Sequence, residues 1–142
     1  MSRSFVFGVK GATHMESISD LIGRTGFEGL KGAPLSEKVR FIQELAFACQ
    51  RFDERNCSTL YDLVVKPAMD EFTDEEILRI ESIMYHGRGD DELFEVYKHL
   101  DSMKQPKDRR IDDMLSKVPF PQYLENGIAE IHRKVINSTE WG

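Results

Sequence analysis

The stretch TDEEILRIESIMYHG, residues 73–87, carries the fold in miniature. Thr73 and Glu76 form the T-x-x-E pattern, in which each side chain can hydrogen-bond the other's free backbone amide at a helix start. Ile77, Leu78, Ile80, Ile83 and Met84 follow at helical spacing. Gly87 is expected to end that helix, since glycine takes up the left-handed conformation of a helix stop without penalty.

The same period extends in both directions. Upstream, Ser36 is expected to cap a helix running to about Arg55, in which Val39, Ile42, Leu45, Ala46, Cys49 and Phe52 recur at steps of three and four. Phe41 and Ala48 widen the stripe, which marks a central helix. Ser58 or Thr59 starts a segment with Leu60, Leu63 and Val64 on one side, and Pro67 is expected to stop or kink it and to push Lys66 out of helical geometry. Downstream, Asp90 is expected to cap a helix with Leu93, Phe94, Val96, Tyr97 and Leu100 that ends near Met103. Pro106 separates it from a short helix with Ile111, Met114, Leu115 and Val118. Pro119 and Pro121 read as a hard break before a last helix carrying Tyr123, Leu124, Ile128, Ile131, Val135 and Ile136. Gly127 weakens that helix by about 1 kcal/mol relative to alanine. The expected fold is mainly α: a compact bundle of five to six helices over residues 34–142, joined by short loops.

Residues 1–33 read differently, because they hold six of the ten glycines. They are expected to form a Gly-rich N-terminal arm of the same domain, with one short strand or hairpin near residues 4–9 and a short helix over residues 16–22. With 142 residues and 40% hydrophobic content, the chain is long enough for one self-sufficient core. Two cysteines exclude a disulfide scaffold. No apolar run approaches the ~18 residues of a membrane span, and Phe5-Val6-Phe7 is too short for the core of a secretory signal. A soluble, cytoplasmic protein with no membrane association is expected.

Chemical motifs are few. Arg88-Gly89-Asp90 matches an adhesive tripeptide, but turn and capping roles account for all three residues. Asn56-Cys57-Ser58 and Asn137-Ser138-Thr139 match the N-glycosylation pattern, which has meaning only in a secreted chain. Glu95 and His99 share a helix face and lack a third metal ligand. Cys49 falls in an apolar stripe and is expected to be buried; Cys57, at a helix boundary, is expected to be more exposed. No catalytic residue, metal or cofactor is assigned.

Charge is more informative. The net charge is −6, yet residues 67–101 alone carry eleven acids and three bases, a local charge of −8. Lys104, Lys107, Arg109 and Arg110 follow as a basic cluster expected in a loop. A segment so acidic would repel a phosphate backbone, so direct nucleic-acid binding is not expected. The leading expectation is a non-enzymatic protein-interaction module: an inhibitor, an immunity-type protein or a viral or phage accessory protein. It would occlude or bridge another protein, basic in character, or a second copy of itself. Its candidate contacts are Asp70, Glu71, Asp74, Glu75, Asp90, Asp91, Glu92 and Glu95. The alternative is a small enzyme or anionic-ligand-binding protein with its site between the arm and the bundle. Lys10, Thr13, His14 and Arg24 would then contact the anion.

Overall fold

A computed structural model describes residues 32–141, with side chains described as far as residue 135. The chain over these residues is a helical bundle, and no strand occurs among them. The expected strand at 4–9, the expected helix at 16–22 and nearly all of the Gly-rich arm lie outside the described residues. Helix α1 spans Leu35–Phe52. A 3-10 turn, Glu54–Asn56, leads into α2, which runs without a break through Cys57–Leu60, a π-helical turn at Tyr61–Val65, and Lys66–Met69. Helices α3 (Asp74–Arg88), α4 (Leu93–Ser102), α5 (Lys107–Leu115) and α6 (Phe120–Trp141) complete the bundle.

Helix α3 is the hub, rather than α1. It packs on α4, α5 and α6, whereas α1 packs mainly on α2 and α6. The reason is visible in what α3 buries: beside Ile77, Leu78, Ile80 and Met84, it buries Glu81, Ser82 and His86. Glu81, four residues after Ile77 and three before Met84, falls on the apolar stripe itself. The N-terminus of α3 is the expected capping box. The Glu76 amide donates to the Thr73 hydroxyl at 3.1 Å, and the Thr73 amide donates to the Glu76 carboxylate at 3.0 Å.

The C-terminus of α3 departs from expectation. The helix continues through Gly87 to Arg88, and Gly89, at φ +100°, is the stop. The Gly89 amide donates to the His86 carbonyl at 3.0 Å and the Asp90 amide to the Tyr85 carbonyl at 3.1 Å, the two bonds of a Schellman cap. Asp90 therefore does not cap α4. Its carboxylate pairs with the Arg88 guanidinium through two bonds of 2.8 and 2.9 Å. Glu92 occupies the N-cap position of α4, and Asp91 accepts the Glu92 amide at 2.8 Å. The Arg and Asp of the adhesive-type tripeptide are thus tied to each other.

Gly87 serves another purpose. A Cβ there would lie 1.8 Å from the Tyr123 carbonyl oxygen and 2.5 Å from the Gly127 nitrogen. On the opposing helix, a Cβ at Gly127 would lie 2.2 Å from the Ile83 carbonyl oxygen. Helices α3 and α6 therefore touch backbone to backbone, with one glycine from each at the crossing. Gly127 is a loss in helix propensity and a gain in approach distance.

The proline expectations are also revised. Lys66 keeps helical geometry at φ −60°, ψ −45°, and Pro67 lies within α2. The π turn just before it accommodates a residue that has no amide hydrogen to give. Pro121 lies in the first turn of α6, where a missing amide hydrogen costs nothing, so Pro119 and Pro121 mark a helix start. Ser36 does not cap α1; Pro34 holds the N-cap position without a side-chain bond.

One continuous core joins the helices. Ile42 and Leu45 of α1, Tyr61 and Met69 of α2, Ile77, Ile80 and Met84 of α3, Ile111 and Met114 of α5, and Phe120 and Leu124 of α6 are fully buried in it. Leu78, Val96 and Leu100 form a smaller cluster beneath α4. Cys49 and Cys57 are both buried, so the expected exposure of Cys57 is wrong. The boundary it occupies is internal, because α2 begins there and packs against α1. Burial pushes the Cys49 thiol up to about 12, which leaves it a small hydrophobe.

The crossing makes a prediction that separates two kinds of glycine. Gly87→Ala or Gly127→Ala forces α3 and α6 apart and should lower stability by about 3 kcal/mol, at the upper end of overpacking costs. Gly89→Ala has open space around its Cβ and only backbone strain to overcome, about 1–2 kcal/mol. Urea unfolding midpoints of the three variants test this. Equal losses at all three sites would rule out the close crossing.

Candidate functional site

Helices α3, α4 and α5 diverge around a groove of about 750 Å³. Its floor is polar. Arg110 of α5 donates to Glu81 of α3 at 2.9 Å, with side chains only 7% and 4% exposed. A second arm of the same guanidinium donates to the Leu100 carbonyl near the end of α4 at 2.9 Å. One side chain thus ties three helices together, and the ion pair meets the demand that a buried charge be paired and hydrogen-bonded.

Beside this pair lies a second carboxylate, Asp113. The Tyr85 hydroxyl donates to it at 2.5 Å and Lys117 at 3.1 Å. The two acids are driven apart. Burial pushes Glu81 up to about 7; the Arg110 bond pulls it down and Asp113 raises it further. Burial would raise Asp113 too, but bonds from Tyr85, Lys117 and Glu81 outweigh it and hold its carboxyl below the usual range. A neighbouring carboxyl pair with opposed shifts is a pattern that can hold one shared proton.

The walls are acidic. Asp90, Asp91 and Glu95 line one side and Asp112 the other, with Arg109 among them. Three of the eight acids named from sequence therefore lie on the groove. Glu92 stands next to it, in the α3–α4 turn. Asp70, Glu71, Asp74 and Glu75 do not line it. They sit at the other end of α3, about 22 Å away for a helix of 15 residues. All eight are exposed. Glu75 is committed to Arg79 at 2.8 Å and to the Tyr97 hydroxyl at 2.7 Å, which hold its carboxyl low. The acidic segment is thus divided between two ends of the bundle.

The basic cluster is likewise divided. Arg110 is buried in the floor, and Lys107 donates to the Asp70 and Phe72 carbonyls at 2.9 Å, closing the end of α2. Both belong to the helix α5 rather than to a loop. His99 and Glu95 are exposed and line the groove without a third partner. Among the described residues, no group of three or more His, Cys, Asp or Glu side chains is placed to hold a metal ion. None of the described helices is long and apolar enough to cross a membrane. Lys10, Thr13, His14 and Arg24 lie outside the described residues.

The floor residues are the ones that sequence reading passed over. Glu81 sits four residues after Ile77 and three before Met84, on the buried side of α3; Arg110 precedes Ile111 and stands four before Met114. A lone charge inside each apolar stripe was the available signal. Comparison with protein-family models, curated proteins and solved structures finds no match to this chain.

Glu81 gives the groove a pH signature. Its folded value, about 7, stands above its ordinary value of 4.5. Its contribution to stability is therefore complete below about 4.5 and lost as pH rises through 7. Glu81→Gln imitates the protonated acid and should remove that slope. Urea midpoints between about pH 5 and pH 8 should fall more steeply for the natural chain than for the variant. Parallel profiles would contradict the assignment. Removing one partner alone, as in Arg110→Met, should cost about 3–5 kcal/mol at pH 8. The double variant Arg110→Met/Glu81→Met should recover most of it.

Proposed function

We propose that this chain is a protein-interaction module that takes a cationic segment of a partner protein into the groove between α3, α4 and α5. The observation that supports this is the gathering of Asp90, Asp91, Glu95 and Asp112 around one concavity of about 750 Å³. Asp91 and Glu95 are the least committed of these acids. Asp91 accepts only a backbone amide at 2.8 Å, and Glu95 meets Lys98 at 3.5 Å on an exposed surface. Such carboxylates are available for a Lys or Arg side chain, and their shared sign would steer a basic partner. Beneath them, Val96 and Leu100 offer an apolar ledge for the methylene stems of those side chains. Asp70, Glu71, Asp74 and Glu75 do not line this groove, and Glu75 is held by Arg79 and the Tyr97 hydroxyl.

A cationic peptide distinguishes place from mere charge. Asp91→Asn/Glu95→Gln removes two charges at the groove, and Glu71→Gln/Asp74→Asn removes two at the other end. Calorimetric titration with an octa-arginine peptide should show about tenfold weaker binding for the first variant, a loss of about 1.4 kcal/mol. The second should bind as the natural chain does. Equal weakening by both would mean that the peptide reads net charge alone, and the reading would fall.

A further inference from the structure

The groove has two carboxyls in contact on its lining. Glu81 of α3 and Asp113 of α5 both face it and lie within hydrogen-bond reach of each other. An ionised carboxylate can only accept, so this contact is a bond only when one of the two acids carries a proton. Their other partners decide which one. Asp113 accepts from the Tyr85 hydroxyl at 2.5 Å and from Lys117 at 3.1 Å, two donors that suit the ionised form. Glu81 accepts from Arg110 alone among these groups, at 2.9 Å, and its side chain is 4% exposed. The proton therefore belongs to Glu81, the more deeply buried acid with the fewer donors. The Asp113 side chain is 40% exposed, which gives that proton a way out to water.

The charges around the pair come from every helix that borders it. Arg110 and Lys117 face it from α5 and the turn that follows, and Tyr85 faces it from α3 itself. Arg88, bound to Asp90, lies 4.6 Å over the Tyr85 ring. Helix α4 sets Glu95 and His99 on the groove wall, and its Leu100 carbonyl accepts from Arg110. Among the described residues, α6 supplies no charged partner to either carboxyl. With the proton in place, Arg110 and Lys117 oppose Asp113 alone, a local charge of +1. Without it the four side chains balance. A cation entering the groove therefore works against the proton, and by reciprocity the proton works against the cation.

We infer that the groove exchanges the proton held between Glu81 and Asp113 for the cationic segment it binds, so that binding tightens as pH rises through neutrality. The inference rests on the reading of the groove as a site for a cationic segment and supplies its regulation. The exchange is balanced: the cation enters, and one proton leaves Glu81 through Asp113 for the buffer. Burial raises Glu81 from its ordinary 4.5 to about 7, which sets the pH range of the exchange. Asp90, Asp91 and Glu95, at the surface of the groove, attract the same cation without taking part in it.

The test uses the full chain and N-acetylated octa-arginine, a ligand with no group of its own that titrates near neutrality. Calorimetric titration at about pH 6.5 in PIPES and in ACES, buffers of different ionisation enthalpy, counts the protons released. A Glu81 midpoint lowered from about 7 to about 6 by the peptide would release about half a proton and tighten binding about fivefold between pH 5.5 and pH 8. The carboxyl carbon resonance of Glu81, titrated with and without peptide, should show that lowering directly. Glu81→Gln should bind without releasing a proton. His99→Gln, which removes the imidazole on the groove wall, should still release one. Should Glu81→Gln fail to fold, the Glu81 resonance of the natural chain decides the matter. An unmoved Glu81 midpoint, or a release that persists in Glu81→Gln and vanishes in His99→Gln, would overturn the inference. Either result leaves the groove standing as the binding site where Asp91→Asn/Glu95→Gln alone weakens binding. Equal weakening by Glu71→Gln/Asp74→Asn, or no binding of the peptide at all, would remove both.

Discussion

The contact on which the molecule depends is the meeting of two helix backbones at Gly87 and Gly127. No side chain can stand between α3 and α6 there, since a Cβ on either glycine would lie within 2.2 Å of a carbonyl oxygen of the other helix. This fixes the separation and the register of the bundle's two most closely packed helices. Other flanks of α3 pack on α4 and α5, while Asp74, Glu75 and Arg79 stay exposed. Close backbone approach accounts for the two glycines; the burial of Glu81 is matched separately, by Arg110 of α5.

Buried polarity in this bundle is used to connect helices. Arg110 joins α5 to α3 and α4. Lys38 of α1 reaches Glu76 of α3 at 2.6 Å while lying over the Phe72 ring. The Tyr61 hydroxyl donates to the Val118 carbonyl at 2.7 Å, and Gln50 and Gln122 bond each other reciprocally beside it. Arg110, Lys38, Tyr61 and Gln50 each satisfy a backbone or carboxylate group on another helix or at a helix junction, and Gln122 pairs with the Gln50 amide. The groove is a by-product of the same scheme: α4 is held at a distance by the Arg110 bond to its last turns, and its acidic N-terminal end stays open.

What the sequence made legible was what short-range chemistry determines. The Thr73–Glu76 box, the apolar stripes and the helical class are written within four residues of themselves. The ambiguous signals were those with two physical causes. Gly87 and Gly89 are both plausible helix stops, and only the opposing backbone of α6 reveals that Gly87 is a packing residue. Pro121 breaks a helix interior but suits a first turn, and the choice depends on where α6 begins. The candidate groove was only half legible. Its acidic wall was visible as a run of charge, but the Glu81–Arg110 pair spans 29 positions and depends on helices that meet in space. The same folding sends Asp74 and Asp91, neighbours in a charge count, to opposite ends of a helix.

The π turn in α2 has a consequence for how this chain can vary. Cys57, Tyr61, Val65 and Met69 are all buried and lie four residues apart. In a regular α-helix each such step overshoots by about 40°, so three would carry the last residue about 120° around the axis. The wide turn, closed by the Lys66 amide on the Tyr61 carbonyl, absorbs that drift and keeps all four facing the core. It also frees Pro67 from the amide bond it cannot make. The extra residue and the proline are therefore geometrically coupled. A homologue that lost either should have lost the other, with its buried positions re-spaced to steps of three and four.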